Sequence, residues 1–149
     1  MDRSPTSIQR LLDDFSARSR RARMNVTPQR LAIYEALVRS EEHPTPEELF
    51  KVVRRRMPST SLATIYKTLE ALEKLGLAHE VAQTGGSKRF DGNVGKHHHF
   101  VCTSCKRIMD FEDDKLDAVA PARKPKGFQA SSVTVQILGR CESCTGRKR

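Results

Sequence analysis

The sequence predicts an α+β chain, with a helical N-terminal half that ends in a β-hairpin and a smaller, strand-rich part organised by cysteines. Three observations predict this architecture. Ser or Thr helix starts recur in the first half, a glycine pair separates two short β-prone runs, and four cysteines form two Cys-x-x-Cys pairs near the C-terminus. A chain of 149 residues with 37% hydrophobic residues and no tryptophan favours two small cores over one large core.

The first half contains four candidate helices. Residues 8–20 carry apolar side chains at helical spacing. Thr27-Pro28 and Thr45-Pro46-Glu47-Glu48 each indicate an N-cap with proline at the first helical position, and the second is also a capping box. A further helix is predicted to begin near Ser61 and to end at Gly76, which suits a left-handed C-terminal stop.

A β-hairpin is predicted next, with strands at residues 77–81 and 87–90 around a Gly85-Gly86 turn. Three helices followed by a hairpin describe a winged helix-turn-helix, whose last helix would enter the DNA major groove. Beyond it we expect two short strands, at residues 100–102 and 108–111. A helix over residues 115–120 and a strand over residues 131–139 complete the predicted elements.

The predicted domain organisation has three segments. Residues 1–91 form the winged-helix DNA-binding domain, of which residues 1–26 are an N-terminal helix and basic arm. Residues 92–96, rich in Gly and Asn, form a hinge. Residues 97–149 form a small α/β metal-binding domain.

The charge balance favours nucleic acid as the partner. The chain has 27 Lys and Arg against 18 Asp and Glu, for a formal net charge of +9. Candidate DNA contacts are Arg30 and the arginines of the basic arm, for phosphates, and the small and polar residues at the start of the last helix: Arg18, Arg20, Arg21, Arg23, Arg30, Thr60, Ser61, Ala63, Thr64, Tyr66 and Lys67. For Tyr66 a core position is the alternative, and for the arginines a solvated face.

The N-terminal residues and the hydropathy of the chain predict a cytoplasmic protein without a membrane partner. No apolar run approaches 18 residues, and the N-terminus lacks the apolar stretch of a signal peptide. In a reducing compartment, Cys-x-x-Cys pairs are more often metal ligands or redox thiols than disulfides.

The four cysteines predict a closed, structural zinc site. Cys102 and Cys105, and then Cys141 and Cys144, have the two-residue spacing at which one turn directs two sulfurs to a tetrahedral Zn²⁺. The alternative is a set of unrelated buried thiols. Directly upstream, His97 and His99 point to one face of an extended segment.

The ordered motifs resemble the ferric uptake regulator (Fur) superfamily of bacterial metal-dependent repressors. They are Ser-Leu-Ala-Thr-Ile-Tyr-Lys-Thr-Leu at residues 61–69, Lys-Arg-Phe-Asp at 88–91, His-His-His-Phe-Val-Cys-Thr-Ser-Cys at 97–105, and the closing Cys-x-x-Cys. The resemblance covers about Thr27 to Cys144. It implies a homodimer whose N-terminal winged helices bind a palindromic operator and whose C-terminal halves pair through a β-sheet.

The resemblance also implies a regulatory metal site. Its ligands would be His43, Asp91, His97, His99 and Asp110. Three imidazoles and two carboxylates suit Fe²⁺ or Mn²⁺ better than Zn²⁺. Because His43 precedes the hinge and His97 follows it, the ion would couple the two domains and so act as a co-repressor.

Within the superfamily, the chain most resembles the peroxide-sensing (PerR) branch. Asp110 replaces the glutamate that iron sensors typically carry. In that branch a ferrous ion reduces H₂O₂ and a ligand histidine is oxidised, which releases DNA; His43 and His97 are the candidates. Lys96 and His98 depart from the iron-sensor pattern, and the absence of histidine from residues 131–139 predicts that a third metal site is missing.

Two alternatives remain open from the sequence. One is an iron-responsive regulator on the same scaffold. The other is a thiol-disulfide redox protein that uses the Cys-x-x-Cys pairs, which would require a reactive thiolate near a helix N-terminus, whereas both pairs are predicted to lie among strands and turns. The preferred interpretation is a repressor and not an enzyme.

Overall fold

The computed structural model describes residues 1–81, 88–130 and 133–146. The chain divides into two compact units, Met1–Val94 and Gly95–Arg149. The predicted hinge residues Gly92 and Asn93 are buried within unit 1. No helix among the described residues has the length and apolar character needed to cross a bilayer.

Unit 1 begins with four helices, each preceded by a Ser or Thr whose side chain accepts a backbone N–H of the first turn. These N-caps are the local signals on which the helix predictions rest, and they satisfy amides that would otherwise have no partner. The helices are α1 Pro5–Arg21, α2 Pro28–Arg39, α3 Pro46–Arg56 and α4 Leu62–Lys74.

The predicted capping box of α3 is present. Thr45 accepts the Glu48 N–H, and the Glu48 carboxylate accepts the Thr45 N–H. Gly76, just past α4, has φ +66°, the left-handed conformation that favours glycine at this position.

Two short antiparallel strands, β1 His79–Val81 and β2 Arg89–Asp91, complete unit 1. The predicted Gly85-Gly86 turn between them lies outside the described residues. The winged-helix prediction of three helices and a hairpin, preceded by α1, is confirmed.

One hydrophobic core holds unit 1 together. Helix α1 packs on α2, where the rings of Phe15 and Tyr34 are 5.4 Å apart. Burial of the Tyr34 phenol raises its pKa to about 12, because the charged form would lose its hydration. The buried core comprises Ile8, Phe15, Ile33, Tyr34, Leu37, Val38, Leu49, Val53, Ile65, Leu69, Leu72, Leu77, Ala78 and Phe90.

The described part of unit 2 is a small three-stranded sheet with two single-turn helices. Its strands are β3 His98–Cys102, β4 Ile108–Phe111 and β5 Gln136–Gly139, in the order β4-β3-β5. Strand β3 pairs antiparallel with β4 and parallel with β5. The helices are α5 Asp114–Asp117 and α6 Glu142–Thr145.

Three details of unit 2 differ from the predictions. Helix α5 covers residues 114–117 and not 115–120; it buries no residue, so packing does not extend it. Strand β5 begins at Gln136, because the Val135 N–H donates to the His98 ring and not to the strand ladder. Helix α6 was not predicted, and the first residues of the predicted strand, 131–132, lie outside the described part.

Candidate metal centres and nucleic-acid interface

The four cysteines form one cluster in unit 2. The four sulfur atoms all lie within 4.8 Å of one another, and those of Cys105 and Cys141 are 3.6 Å apart. Four thiolates at about 2.3 Å from a Zn²⁺ would be about 3.8 Å apart in a tetrahedron. The cluster therefore fits a tetrahedral zinc ion.

Local structure directs these sulfurs. Cys102 is buried at the end of β3, and Lys106, at φ +63°, closes the turn that returns Cys105 towards it. Cys141 is the N-cap of α6. The backbone N–H groups of Cys105 and Cys141 donate to the Cys102 sulfur at 3.5 and 3.4 Å.

The same amides favour ionisation of the Cys102 thiol. The N–H donors of Cys105 and Cys141 lower the pKa of the Cys102 thiol to about 5. The Arg107 N–H lowers the pKa of the Cys105 thiol, but the neighbouring sulfurs outweigh it and raise that pKa to about 11. Negative charge on one sulfur thus opposes ionisation of the next, and a dication would relieve that repulsion.

The prediction that both Cys-x-x-Cys pairs lie among strands and turns, which was made against a thiol-disulfide enzyme, is wrong for the second pair. The second Cys-x-x-Cys pair does lie at a helix N-terminus, and hydrogen bonds from neighbouring side chains lower the pKa of Cys141. Donation from the Ser143 hydroxyl is the largest contribution. The convergence of all four sulfurs, and not their local structure, is what favours a metal site.

Two histidines of unit 2 face each other. The Nε2 atoms of His97 and His99 are 3.0 Å apart, and the rings are nearly perpendicular. The Gly95 carbonyl accepts from Nδ1 of His97 at 2.8 Å, which places the proton on Nδ1 and leaves the Nε2 lone pair for a cation. Asp110, the strand partner of His99, has Oδ1 4.0 and 3.7 Å from the two Nε2 atoms.

His98 points to the other face of β3. Its Nδ1 accepts the Val135 N–H at 3.2 Å, and its Nε2 lies 3.4 Å from Asp117 Oδ1. The alternation of His97 and His99 against His98 follows from the period of two along an extended chain.

In unit 1, His43 lies beside Asp91. Their Nε2 and Oδ2 atoms are 3.3 Å apart, and both residues are buried. His43 has φ +48°, an uncommon conformation for a residue other than glycine. Arg89 supports this loop by donating to the His43 carbonyl at 2.9 Å and to Glu48 Oε2 at 3.2 Å.

The sequence reasoning missed Arg89 and a further histidine, His79. The His79 Nε2 lies 3.9 Å from Asp91 Oδ2, and the two residues are partners in the β1–β2 ladder. The register of the hairpin is the signal that could have found His79, but it depends on the turn that joins the strands.

The exposed start of α4 carries most of the predicted base-contacting residues. Ser61, Ala63, Tyr66 and Lys67 are exposed, whereas Thr60 is buried and so does not present its side chain to a groove. Tyr66 is therefore a surface residue and not part of the core. Its hydroxyl donates to Glu47 Oε1 at 2.8 Å.

The arginines predicted to contact phosphates differ in their partners. Arg18 and Arg30 donate to the carbonyls of Leu75 and Asn25, at 3.1 and 2.8 Å. Arg18 is nevertheless exposed. So are the other three arginines and a basic run at the end of α3 that was not predicted: Arg20, Arg21, Arg23, Arg54, Arg55 and Arg56.

Comparison with known proteins places these features in one family. The model of the ferric uptake regulator family matches residues 21–138. The peroxide-responsive repressor PerR of Staphylococcus epidermidis is 34% identical over 139 residues, which are 93% of each chain. PerR of Staphylococcus aureus strain USA300 is 33% identical over 93% of this chain and 94% of its own.

Solved structures agree. The Campylobacter jejuni peroxide stress regulator is 28% identical, with a TM-score of 0.65 over 89% of this chain and 98% of its own. The Helicobacter pylori ferric uptake regulator, at 19% identity, has the same fold, with a TM-score of 0.76 over 95% of this chain and 96% of its own. The chain belongs to the ferric uptake regulator family.

Proposed function

We propose that this protein is a metal-dependent, DNA-binding transcriptional repressor that responds to peroxide in the cytoplasm. The observation that supports the proposal is that each unit holds its own group of side chains that could bind a metal ion. His43 and Asp91 are paired in unit 1, and His97, His99 and Asp110 are grouped in unit 2.

A regulatory ion bound by all five ligands would couple the two units. Asp91 and His97 lie on opposite sides of the division at Val94 and Gly95, so such an ion restricts the orientations that the units adopt. If the restricted arrangement is the one that binds DNA, the ion shifts the population towards it by its differential affinity.

The identity of each ion follows from the ligand chemistry. Nitrogen and oxygen ligands without thiolate suit Fe²⁺ or Mn²⁺, whereas the four thiolates of Cys102, Cys105, Cys141 and Cys144 suit Zn²⁺. We assign Zn²⁺ a structural role and the second ion a regulatory one.

The DNA-binding surface would be the exposed start of α4 with the basic residues around it. Small side chains at Ser61 and Ala63 allow a close approach to a groove, and Tyr66 and Lys67 can reach base edges. The exposed arginines at residues 20–23 and 54–56 would contact DNA phosphates. Such contacts add affinity but do not distinguish one DNA sequence from another.

A homodimer would present two such surfaces to a palindromic operator. The sheet of unit 2 carries a row of apolar side chains, Phe100, Met109 and Ile137, which are register partners and each more than a third exposed. Strand β5 has one neighbouring strand among the described residues. Pairing of β5 with its copy would extend the sheet and cover this apolar row.

Peroxide is the proposed signal because Asp110 stands where iron sensors typically carry glutamate and because the relatives compared above carry that name. A bound ferrous ion would supply the electron that cleaves the O–O bond of H₂O₂; overall, one peroxide oxygen would be added to a ligand histidine and the other would leave as water. His43 and His97, held beside carboxylates and buried, are the ligands that we expect to be oxidised. Loss of either ligand would uncouple the units and release DNA.

The test uses full-length, zinc-loaded protein prepared without oxygen. We expect Fe²⁺ or Mn²⁺ to raise affinity for DNA selected from a random pool by about tenfold or more, a coupling of about 1.4 kcal/mol. His43→Ala should abolish the effect, whereas Glu42→Ala, an exposed neighbour, should not.

Addition of peroxide then distinguishes a peroxide-responsive repressor from an iron-responsive one. The iron form should release DNA and gain one oxygen in the His43 or His97 peptide by mass spectrometry, and the manganese form should do neither. An iron form that keeps its DNA and its unmodified histidines indicates the iron-responsive alternative. If metal does not change DNA affinity at all, the proposal is wrong.

A further inference from the structure

We propose that Arg3, which precedes α1, is a positioning residue for the regulatory metal site. It would act through the loop of residues 40–45, which joins α2 to α3 and carries His43. The inference deepens the proposed function and rests on the regulatory ion binding at His43. It gives the N-terminal segment of the chain, which contains none of the proposed ligands, an influence on metal affinity.

The Arg3 guanidinium binds the backbone where α2 passes into this loop. Its Nε donates to the Val38 carbonyl at 3.2 Å, and its Nη2 donates to the Ser40 carbonyl at 3.1 Å. In a continued helix the Glu42 N–H would bind the Val38 carbonyl, but it donates to Ser40 Oγ instead, at 3.3 Å. Arg3 thus supplies the donor that the helix has lost, and its positive charge is favourable at a helix C-terminus.

A separate segment holds the second half of the loop. Arg89 of β2 donates to the carbonyls of Glu42 and His43 at 3.3 and 2.9 Å, and the Pro44 carbonyl accepts the next N–H of β2 at 3.1 Å. The same strand carries the proposed carboxylate ligand of unit 1. The loop is therefore attached at its start to Arg3 and at its end to β2.

His43 depends on both attachments because of its backbone conformation. Its φ of +48° is uncommon for a residue with a side chain, and such a residue keeps this conformation only where neighbouring contacts enforce it. Loss of the Arg3 bonds would free Ser40, three residues before His43, and let the loop populate conformations in which the imidazole is not at the site. The apparent metal affinity falls in proportion to the fraction of molecules that keep the competent conformation.

Two other roles for Arg3 can be separated from positioning. Its Nη1 lies 3.7 Å from Glu41 Oε1, but the Glu41 side chain is 78% exposed, and exposed ion pairs contribute little. A basic residue near the N-terminus could also contact a DNA phosphate, in which case its loss weakens DNA binding whether or not metal is bound. Of these roles, only positioning changes the affinity for metal in the absence of DNA.

The experiment measures the Mn²⁺ affinity of full-length, zinc-loaded protein, without DNA, by the loss of the free Mn²⁺ EPR signal. We expect Arg3→Met to weaken Mn²⁺ binding about threefold or more, compared with about 10- to 100-fold for a partner that orients a ligand directly. Arg3→Lys, which keeps the charge and one donor group, should give an intermediate affinity. The controls are Glu41→Gln and Arg10→Met, an exposed residue of α1, and both should change the affinity less than about twofold.

Two further measurements test the same link. At saturating Mn²⁺, Arg3→Met should bind the selected DNA with natural affinity, because the occupied site itself fixes the loop. In the natural protein, Mn²⁺ should slow amide hydrogen exchange at the start of α1 as well as in residues 40–45. The reason is reciprocity, since a contact that strengthens metal binding is itself strengthened when metal binds.

An Arg3→Met variant that binds Mn²⁺ like the controls, or exchange at the start of α1 that Mn²⁺ leaves unchanged, would overturn the proposal. The exchange measurement needs no variant, so it decides the question even if Arg3→Met does not fold. His43→Ala distinguishes the two levels of inference. If it leaves Mn²⁺ binding unchanged, the regulatory site itself is wrong; if it weakens binding and Arg3→Met does not, only the role of Arg3 is wrong.

Discussion

The hydroxyl of Tyr66 donates to the carboxylate of Glu47 at 2.8 Å, which joins the exposed face of α4 to the first turn of α3. Glu47 is four residues from His43, in the same segment that leads from the candidate metal loop into α3. The proposed DNA-contacting tyrosine thus has its hydroxyl oriented by a residue next to the proposed metal loop.

This contact predicts that Tyr66 ionises at a higher pH than an ordinary tyrosine. Glu47 accepts a hydrogen bond from the Tyr66 hydroxyl and raises the pKa of Tyr66 above its ordinary value of 10.0, because ionisation would lose this bond and place two negative charges together. Glu47→Gln should therefore bring tyrosinate absorbance to lower pH. Tyr66→Phe assigns the transition, since the other tyrosine, Tyr34, has its pKa raised to about 12 by burial. An identical titration in Glu47→Gln would contradict the contact.

Arg89→Met should weaken regulatory metal binding without removing zinc. The guanidinium holds the carbonyls of Glu42 and His43 at 3.3 and 2.9 Å, and so supports His43 at a positive φ. Partners that orient a ligand typically change metal affinity by about 10- to 100-fold. Mn²⁺ titration measures the effect. Lys88→Met, whose ammonium pairs with the exposed Glu80, is the matched control and should leave affinity unchanged.

Replacement of one zinc ligand should unfold unit 2 and leave unit 1 folded. Zinc binding contributes about 10–16 kcal/mol in small zinc domains, and loss of one thiolate removes much of it. We expect Cys144→Ser to lose zinc by elemental analysis and to lose amide protection in β3–β5 by hydrogen exchange. Ser104→Ala, within the first Cys-x-x-Cys pair, is the control. Natural protection in zinc-free Cys144→Ser would contradict a structural role for the ion.

Gly92→Ala should destabilise unit 1 by about 1–3 kcal/mol, the usual cost of overpacking. A Cβ at Gly92 would lie 3.0 Å from Val38 Cγ1 and 3.3 Å from Leu37 Cγ, both on α2. Gly139→Ala is the control, since no described atom lies within 4 Å of its added Cβ. Denaturant unfolding measures the free energy of unfolding of both variants. Equal values would contradict the prediction and show that α2 shifts to accommodate the added Cβ without loss of stability.

The sequence alone determined the elements whose signals are local. Each helix N-cap of unit 1 is a Ser or Thr whose side chain accepts the N–H three residues later, so neighbouring residues suffice to place the helix start. The candidate zinc ligands follow from the spacing of the cysteines in the same way. The opposite directions of His97 and His98 need only the period of an extended strand.

Tertiary structure decided what depends on distant partners. Thr60 is buried by the fold. Arg18 donates to the Leu75 carbonyl, and β5 begins at Gln136 because the Val135 N–H donates to the His98 ring, so in both cases the partner lies in a distant segment. The approach of His79 to Asp91 depends on strand register, which no single segment encodes. Helix caps and metal-ligand spacings are satisfied within a few residues, so the sequence alone determined them. Burial and strand pairing depend on contacts between distant segments, so only the tertiary structure decided them.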